Sequence, residues 1–309
     1  MDRLIYYLLF AFHSPWTYKS SPTRIVSLEK SVEALPDTID HQTRRIILKF
    51  FERTRMSGRF RFRGIDPAVE RKAREIARSW ELAVPQNVLE KYLTLGLIMA
   101  TTAYQALREF SSRFCDGTPQ LHPILSHLVS ELSVIRDHYS SYGANAITVS
   151  LLDFFNAEMF ARDEGGTQVH GAQAAEYVDY FRWKTGLGEA FAAMIWPRAL
   201  FPETRRYIQA MPYASQFACL ANDLLSFYKE VRAGETDNYV SQHAAIRSQT
   251  PIRSLQDIAD KLADLDEQVH SLLGDSPEGQ AWDVFAAGFI ECHLHIPRYR
   301  LKELLPECF

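Results

Sequence analysis

Strand-forming alternation is nearly absent from this sequence, since alternating runs of Val, Ile and Thr are scarce along its 309 residues. That argues against a β-sandwich, a barrel or a parallel α/β sheet. Cysteine is also sparse: Cys115, Cys219, Cys292 and Cys308 are the only four, with no CxxC pair among them. Four thiols spread over such a length do not make a disulfide framework, so reduced thiols in an intracellular, cytoplasmic protein are the default expectation. No apolar run is long enough to cross a bilayer. The best, Leu4 to Phe12, is about half the required length. It follows a single Arg and Asp2 and lacks a small-residue cleavage site, so it reads as a docking helix rather than a signal peptide. The formal net charge of −4 gives no field that would favour nucleic acid or an anionic membrane. No internal repeat is visible.

What is present is a large apolar fraction with helical spacing. Hydrophobic residues make up 47% and charged residues 23%, the balance of a globular chain able to bury a sizeable core and enclose a ligand cavity. Aromatic residues are plentiful, with 19 Phe, 14 Tyr and 5 Trp. Apolar residues recur at three- and four-residue intervals over 85–114, 122–142, 144–162, 172–193, 202–230, 254–273 and 279–305, with Pro297 set to kink or end the last segment. Turn chemistry separates several of these at 115–119, 163–166 and 233–238. An all-α, single-domain helical bundle follows. The basic stretch from Arg53 to Arg63 holds five Arg and two Phe, and being short and isolated it reads as a solvated helix end and loop rather than an RNA contact.

One polar triplet interrupts an apolar helix. Asn222, Ser226 and Glu230 are spaced four apart, which on an α-helix sets them along one stripe, about 6 Å of rise per step. An amide oxygen, a hydroxyl and a carboxylate are hard donors of the kind Mg²⁺ accepts, with water and phosphate oxygens completing its shell. The set carries one formal negative charge, so a bound ion would keep net positive charge for a diphosphate, and Lys229 stands beside Glu230. The same spacing also occurs on ordinary polar helix faces. The apolar flanks Phe217 to Ala221 and Phe227-Tyr228 weigh against that, because a polar triplet on the inward side of a core helix needs partners.

The block from Asn222 to Glu230 resembles the second metal motif of class I terpene cyclases, in the style of the fungal trichodiene synthase-like group. Ser150-Leu151-Leu152-Asp153-Phe154-Phe155, Gly186-Leu187-Gly188 with Ile195-Trp196-Pro197, and Arg298-Tyr299-Arg300-Leu301 follow that group's order, so the resemblance is strongest over 150–301 of a single 1–309 domain. It implies a helical bundle around a central cavity. It also implies Asn222, Ser226 and Glu230 as Mg²⁺ ligands, and Lys229, Arg298 and Tyr299 as diphosphate contacts acting in catalysis. The two glycines resemble a kink in a cavity helix, and Phe154, Phe155, Phe191, Trp196 and Tyr228 are candidate cavity-wall residues whose rings could stabilise cations.

The family's other signature, an aspartate-rich motif, has no counterpart, and no Asp-Asp pair occurs anywhere. Glu109 is a substitute metal ligand by position, with Asp116 and Asp223 as further candidates. Relatives also carry a diphosphate-sensing Arg, which in this register falls on Val149. The implied function is a sesquiterpene cyclase acting on farnesyl diphosphate with a non-standard metal cluster, a humulene-type skeleton being one candidate product. A homodimer is typical of the group, and neither nucleic acid nor a membrane span is expected. The competing readings are a non-catalytic prenyl-diphosphate binder and a chain-elongating prenyltransferase; the latter is disfavoured by the absence of both Asp-rich motifs.

Overall fold

A computed structural model describes residues 38–56, 104–163 and 172–309. Among these, the regular elements are helices: α1 (Ile39–Arg53), α2 (Tyr104–Arg108), α3 (Phe110–Asp116), α4 (Pro123–His138), α5 (Ser141–Asp163), α6 (Ala175–Thr185), α7 (Gly188–Met194), α8 (Met211–Ala233), α9 (Tyr239–Ile246), α10 (Pro251–Leu273), α11 (Pro277–His295) and α12 (Leu301–Leu304). Short 3₁₀ turns join several of them, including Pro297–Tyr299 after α11. The expected all-α class is therefore what the chain adopts. The apolar run from Leu4 to Phe12, most of the 85–114 segment and the basic residues past Met56 lie outside the described residues.

The helix ends follow local chemistry. The side chains of Thr250, Ser276 and Asn238 each accept a hydrogen bond from the backbone N–H three residues on, and Pro251 and Pro277 occupy the first helical position. α8 ends at Gly234, whose φ of +72° sends its N–H back to the carbonyls of Glu230 and Val231. The 202–230 segment read as one helix is two 3₁₀ turns followed by α8, which then continues to Ala233. Two helices, α1 and α9, were not singled out from the sequence.

α8 is the axis of the bundle. It packs against α7, α10 and α11, and α1 lies against both α8 and α10. Its residues from Phe217 to Ala221 and from Asp223 to Tyr228 are buried, so the polar triplet sits on a helix enclosed along much of its length. α10 is a simpler amphipathic helix, with Leu255, Ile258, Leu262, Leu265 and Val269 inward. Its outer face receives Arg53 at the end of α1, which bridges to Asp260, Asp264 and Glu267. The helix end expected at Arg53 is thus a charged clamp between α1 and α10.

The predicted kink at Gly186 and Gly188 is a full break between α6 and α7. The residue with positive φ there is Leu187, at +53°, and not a glycine. The two glycines serve a different need. A Cβ on Gly186 would lie 2.3 Å from Cys219 Sγ, and one on Gly188 would lie 2.3 Å from the carbonyl oxygen of Ser215. Both are glycine because the break is pressed against α8 one turn above Asn222.

Candidate active site

The polar stripe of α8 meets three other elements at one buried point. From α6, Arg182 donates through Nε to Asp223 Oδ2 at 2.7 Å, and through Nη2 to the Cys219 carbonyl at 2.8 Å. The same Nη2 stands 3.5 Å from Asn222 Oδ1. From α11, His293 Nε2 lies 3.1 Å from Asn222 Nδ2. From the turn after α11, the Tyr299 hydroxyl accepts from Asn222 Nδ2, also at 3.1 Å. Further along α8, Lys229 Nζ donates to Glu230 Oε1 at 2.9 Å.

Burial sets the electrostatics. The Arg182 and Asp223 side chains are only 12% and 10% exposed. Burial opposes the charge on Arg182, but the Asp223 carboxylate outweighs it and holds the guanidinium charged. Burial also pushes the Asp223 carboxyl up, to about 6, against the pull of Arg182. A guanidinium N–H at 2.7 Å makes the ionised pair the form that fits at neutral pH. His293 is enclosed, and burial drives its pKa down to about 4 despite the Phe289 carbonyl at its ring, so it is a neutral imidazole.

The α8 donors suit a hard divalent cation. Both amide hydrogens of Asn222 are directed at ring partners, which leaves Oδ1 with only the long contact to Arg182. Ser226 is 2% exposed and lies one turn beyond Asn222 on α8. A hydroxyl one turn from an amide oxygen and one turn from a carboxylate is a hard-oxygen set that suits a hard cation. No group of three or more His, Cys, Asp and Glu able to hold a metal occurs among the described residues, as a set with one carboxylate requires.

The remaining candidates separate in space. Glu109 is exposed between α2 and α3, and its carboxylate is bound by Arg113 at 2.8 Å. Asp116 is exposed at the end of α3, and Asp223 is engaged by Arg182. Val149, the position expected to align with an Arg, is exposed on α5. The arginine that reaches the motif is Arg182, which sequence reasoning missed. Its signal was an Arg inside the aromatic stretch Tyr177 to Trp183, four residues before Gly186. Arg298 is half-buried beside Tyr299.

Among the five proposed wall residues, Phe191 is linked to the site by a file of rings. Phe191 meets Phe289 edge-on at 5.2 Å, Phe289 meets His293 at 4.6 Å, and His293 meets Tyr299 at 4.5 Å. Phe155 packs edge-on against Phe110 at 4.8 Å and beside Phe154. Trp196 is fully enclosed, stacked on Tyr207 with its indole N–H on the Glu278 carbonyl. Tyr228 faces the C-terminal side, where Arg232 lies over its ring.

The family model of trichodiene synthase (TRI5) matches residues 85–307, which include every residue of this constellation. The chain belongs to that family. Monoterpene synthase 25 of Postia placenta is 32% identical over 84% of this chain and 86% of its own length. Terpene synthase 29 of the same fungus is 31% identical over 78% of each chain. Alpha-cuprenene synthase COP6 of Coprinopsis cinerea is 33% identical over 65% of this chain and 61% of its own. A solved linalool/nerolidol synthase of Streptomyces clavuligerus is a distant likeness, covering 85% of this chain and 99% of that one at a TM-score of 0.47 and 14% identity. This trichodiene synthase family member is a class I terpene synthase, a carbon–oxygen lyase. Its substrate class is a prenyl diphosphate, and no described helix is long and apolar enough to cross a membrane.

Proposed function

We propose that the enzyme ionises farnesyl diphosphate and cyclises the resulting allylic cation to a sesquiterpene hydrocarbon or alcohol, with Mg²⁺ held by Asn222, Ser226 and Glu230. The observation that carries this reading is the convergence of Arg182, Asn222, His293 and Tyr299 from four separate elements on one buried polar point. Mg²⁺, when bound, supplies Lewis-acid neutralisation of the leaving diphosphate.

The residues of the chain do the rest. Glu230 gives the ion its one carboxylate; Lys229, which donates to Glu230 at 2.9 Å, brings a point charge for the phosphate oxygens. Arg182 is anchored by Nε on Asp223 and by Nη2 on the Cys219 carbonyl, so its guanidinium is held beside Asn222 without reorganising. Arg298 and Tyr299 close on the diphosphate from the turn after α11. The aromatic file from Phe191 to Tyr299 brings ring faces of the kind that stabilise positive charge. Glu109 remains the acidic candidate for a further ion, and a cluster lacking an Asp pair leans more heavily on the α8 donors and on Arg182.

Among the relatives, one carries a monoterpene synthase name and another an alpha-cuprenene synthase name, so chain length is part of the test. Purified enzyme is incubated with geranyl, farnesyl or geranylgeranyl diphosphate, with Mg²⁺ or with chelator, and volatiles are read by gas chromatography. Farnesyl diphosphate is expected to give Mg²⁺-dependent sesquiterpenes, a humulene-type skeleton being one possible product. Turnover of geranyl diphosphate alone would overturn the chain-length assignment. Binding without any product would leave a diphosphate-binding protein in place of a cyclase.

A further inference from the structure

Asn222 is the one member of the α8 triplet whose usefulness depends on which way round it sits. A carboxylate or a hydroxyl offers oxygen whichever way it turns, but an amide flipped by 180° offers N–H where the ion needs a lone pair. Two groups face Asn222 Nδ2, each at 3.1 Å: the Tyr299 hydroxyl and His293 Nε2. A hydroxyl donates or accepts equally well, so Tyr299 tolerates either orientation. His293 does not. Its Nδ1 lies 2.8 Å from the Phe289 carbonyl, a group that can only accept, so the ring proton sits on Nδ1. Nε2 is then a bare lone pair, and it accepts an N–H but repels an oxygen. His293 is also enclosed, 3% exposed between the rings of Phe289 and Tyr299.

We propose that His293 is a positioning residue that locks the Asn222 amide with Oδ1 turned toward the cation and its diphosphate. The chain of control runs from the Phe289 carbonyl to Nδ1–H, from Nε2 to Asn222 Nδ2–H, and from there to Oδ1. This rests on the reading of Asn222 as a metal ligand, and groups that orient a ligand in this way typically change metal affinity by about 10- to 100-fold.

A double-mutant cycle separates orientation from mere packing, because Asp at position 222 has two equivalent oxygens and nothing to orient. Binding of Mg²⁺ with inorganic diphosphate to the full chain is measured by calorimetry. His293→Phe keeps the stacked ring and removes the lone pair; it is expected to weaken binding about ten-fold or more in the Asn222 background and not to weaken it in the Asn222→Asp background, where Nε2 faces an oxygen that it repels. Equal losses in both backgrounds, or none in either, overturn the proposal. Asn222→Ala is the control for the parent reading: if it binds like wild type, Asn222 is not a ligand and the assignment fails at that step instead. Should His293→Phe not fold, histidine-labelled wild-type protein decides the matter by ¹⁵N resonance. A proton on Nδ1 of His293 is expected, and a proton on Nε2 overturns the proposal.

Discussion

Arg182 and Asp223 form an ion pair with side chains 12% and 10% exposed, and each is the other's main compensation for leaving water. Removing one member strands a buried charge, which costs about 3–5 kcal/mol, whereas replacing both with apolar groups of similar size costs much less. Arg182→Met is therefore expected to lower the unfolding free energy by that amount in urea, and Arg182→Met with Asp223→Leu to recover most of it. Single-variant losses below about 1 kcal/mol would place the pair among weak surface contacts instead. The cysteines give a second residue-scale prediction. Burial pushes the Cys219 and Cys308 thiols up to about 11, while Cys115 is exposed. A thiol reagent at neutral pH should modify Cys115 first and reach Cys219 only when the protein unfolds; rapid native labelling of Cys219 would contradict the enclosed geometry.

At the scale of elements, the break between α6 and α7 sets the distance from Arg182 to α8. Gly186→Ala would press a Cβ onto Cys219 Sγ, and Gly188→Ala would press one onto the Ser215 carbonyl oxygen. Each overpacking is expected to cost about 1–3 kcal/mol. The two should respond differently to Cys219→Ala, which removes the sulfur: the melting temperature of Gly186→Ala should recover in part, with Arg182 Nη1 and its carbonyl oxygen still 2.9 and 3.0 Å from the new Cβ, and that of Gly188→Ala should not, because its obstacle is the Ser215 carbonyl. Recovery of both, or of neither, would show that the close approach is not what fixes these glycines.

This element also shows what was legible in the sequence. The triplet on α8 could be read because its residues lie on one helix, where spacing alone fixes their relation. The glycine pair marked the break, although the left-handed backbone turned out to belong to Leu187. Arg182 was not legible in the same way. It sits on α6, 40 residues before Asn222, and only the packing of the break against Cys219 brings the two together. His293 was equally hidden, since its role comes from a lone pair whose direction depends on a carbonyl in its own helix. The short α9 was passed over although Asn238 marks its start.

For the whole molecule, α10 and α11 form a layer tied together by His270, which bonds Asp283 at 2.9 Å and the Asp266 carbonyl at 2.7 Å. The Asp283 hydrogen bond, against the desolvation of the ring, raises the His270 pKa above 6.5. A raised folded-state value means that this contribution is fully present below pH 6.5 and fades as pH climbs through the folded pKa. The wild-type urea midpoint should therefore fall toward that of His270→Gln as pH rises above 6.5. A constant gap between the two proteins would show that His270 does not titrate with folding.

The bundle as a whole serves to bring α6, α8, α11 and the turn after it to the polar stripe where half-buried Asn222 and Glu230 flank buried Ser226. The most direct test is release of diphosphate from farnesyl diphosphate by wild type, Asn222→Ala and Glu230→Ala, each with Mg²⁺ and with chelator, on proteins shown to keep their helical content and melting transition. The account predicts Mg²⁺-dependent release by the wild type and a loss of about 100-fold or more in both variants, the scale at which single electrostatic contributors to a transition state act. Wild-type rates in either folded variant would contradict it.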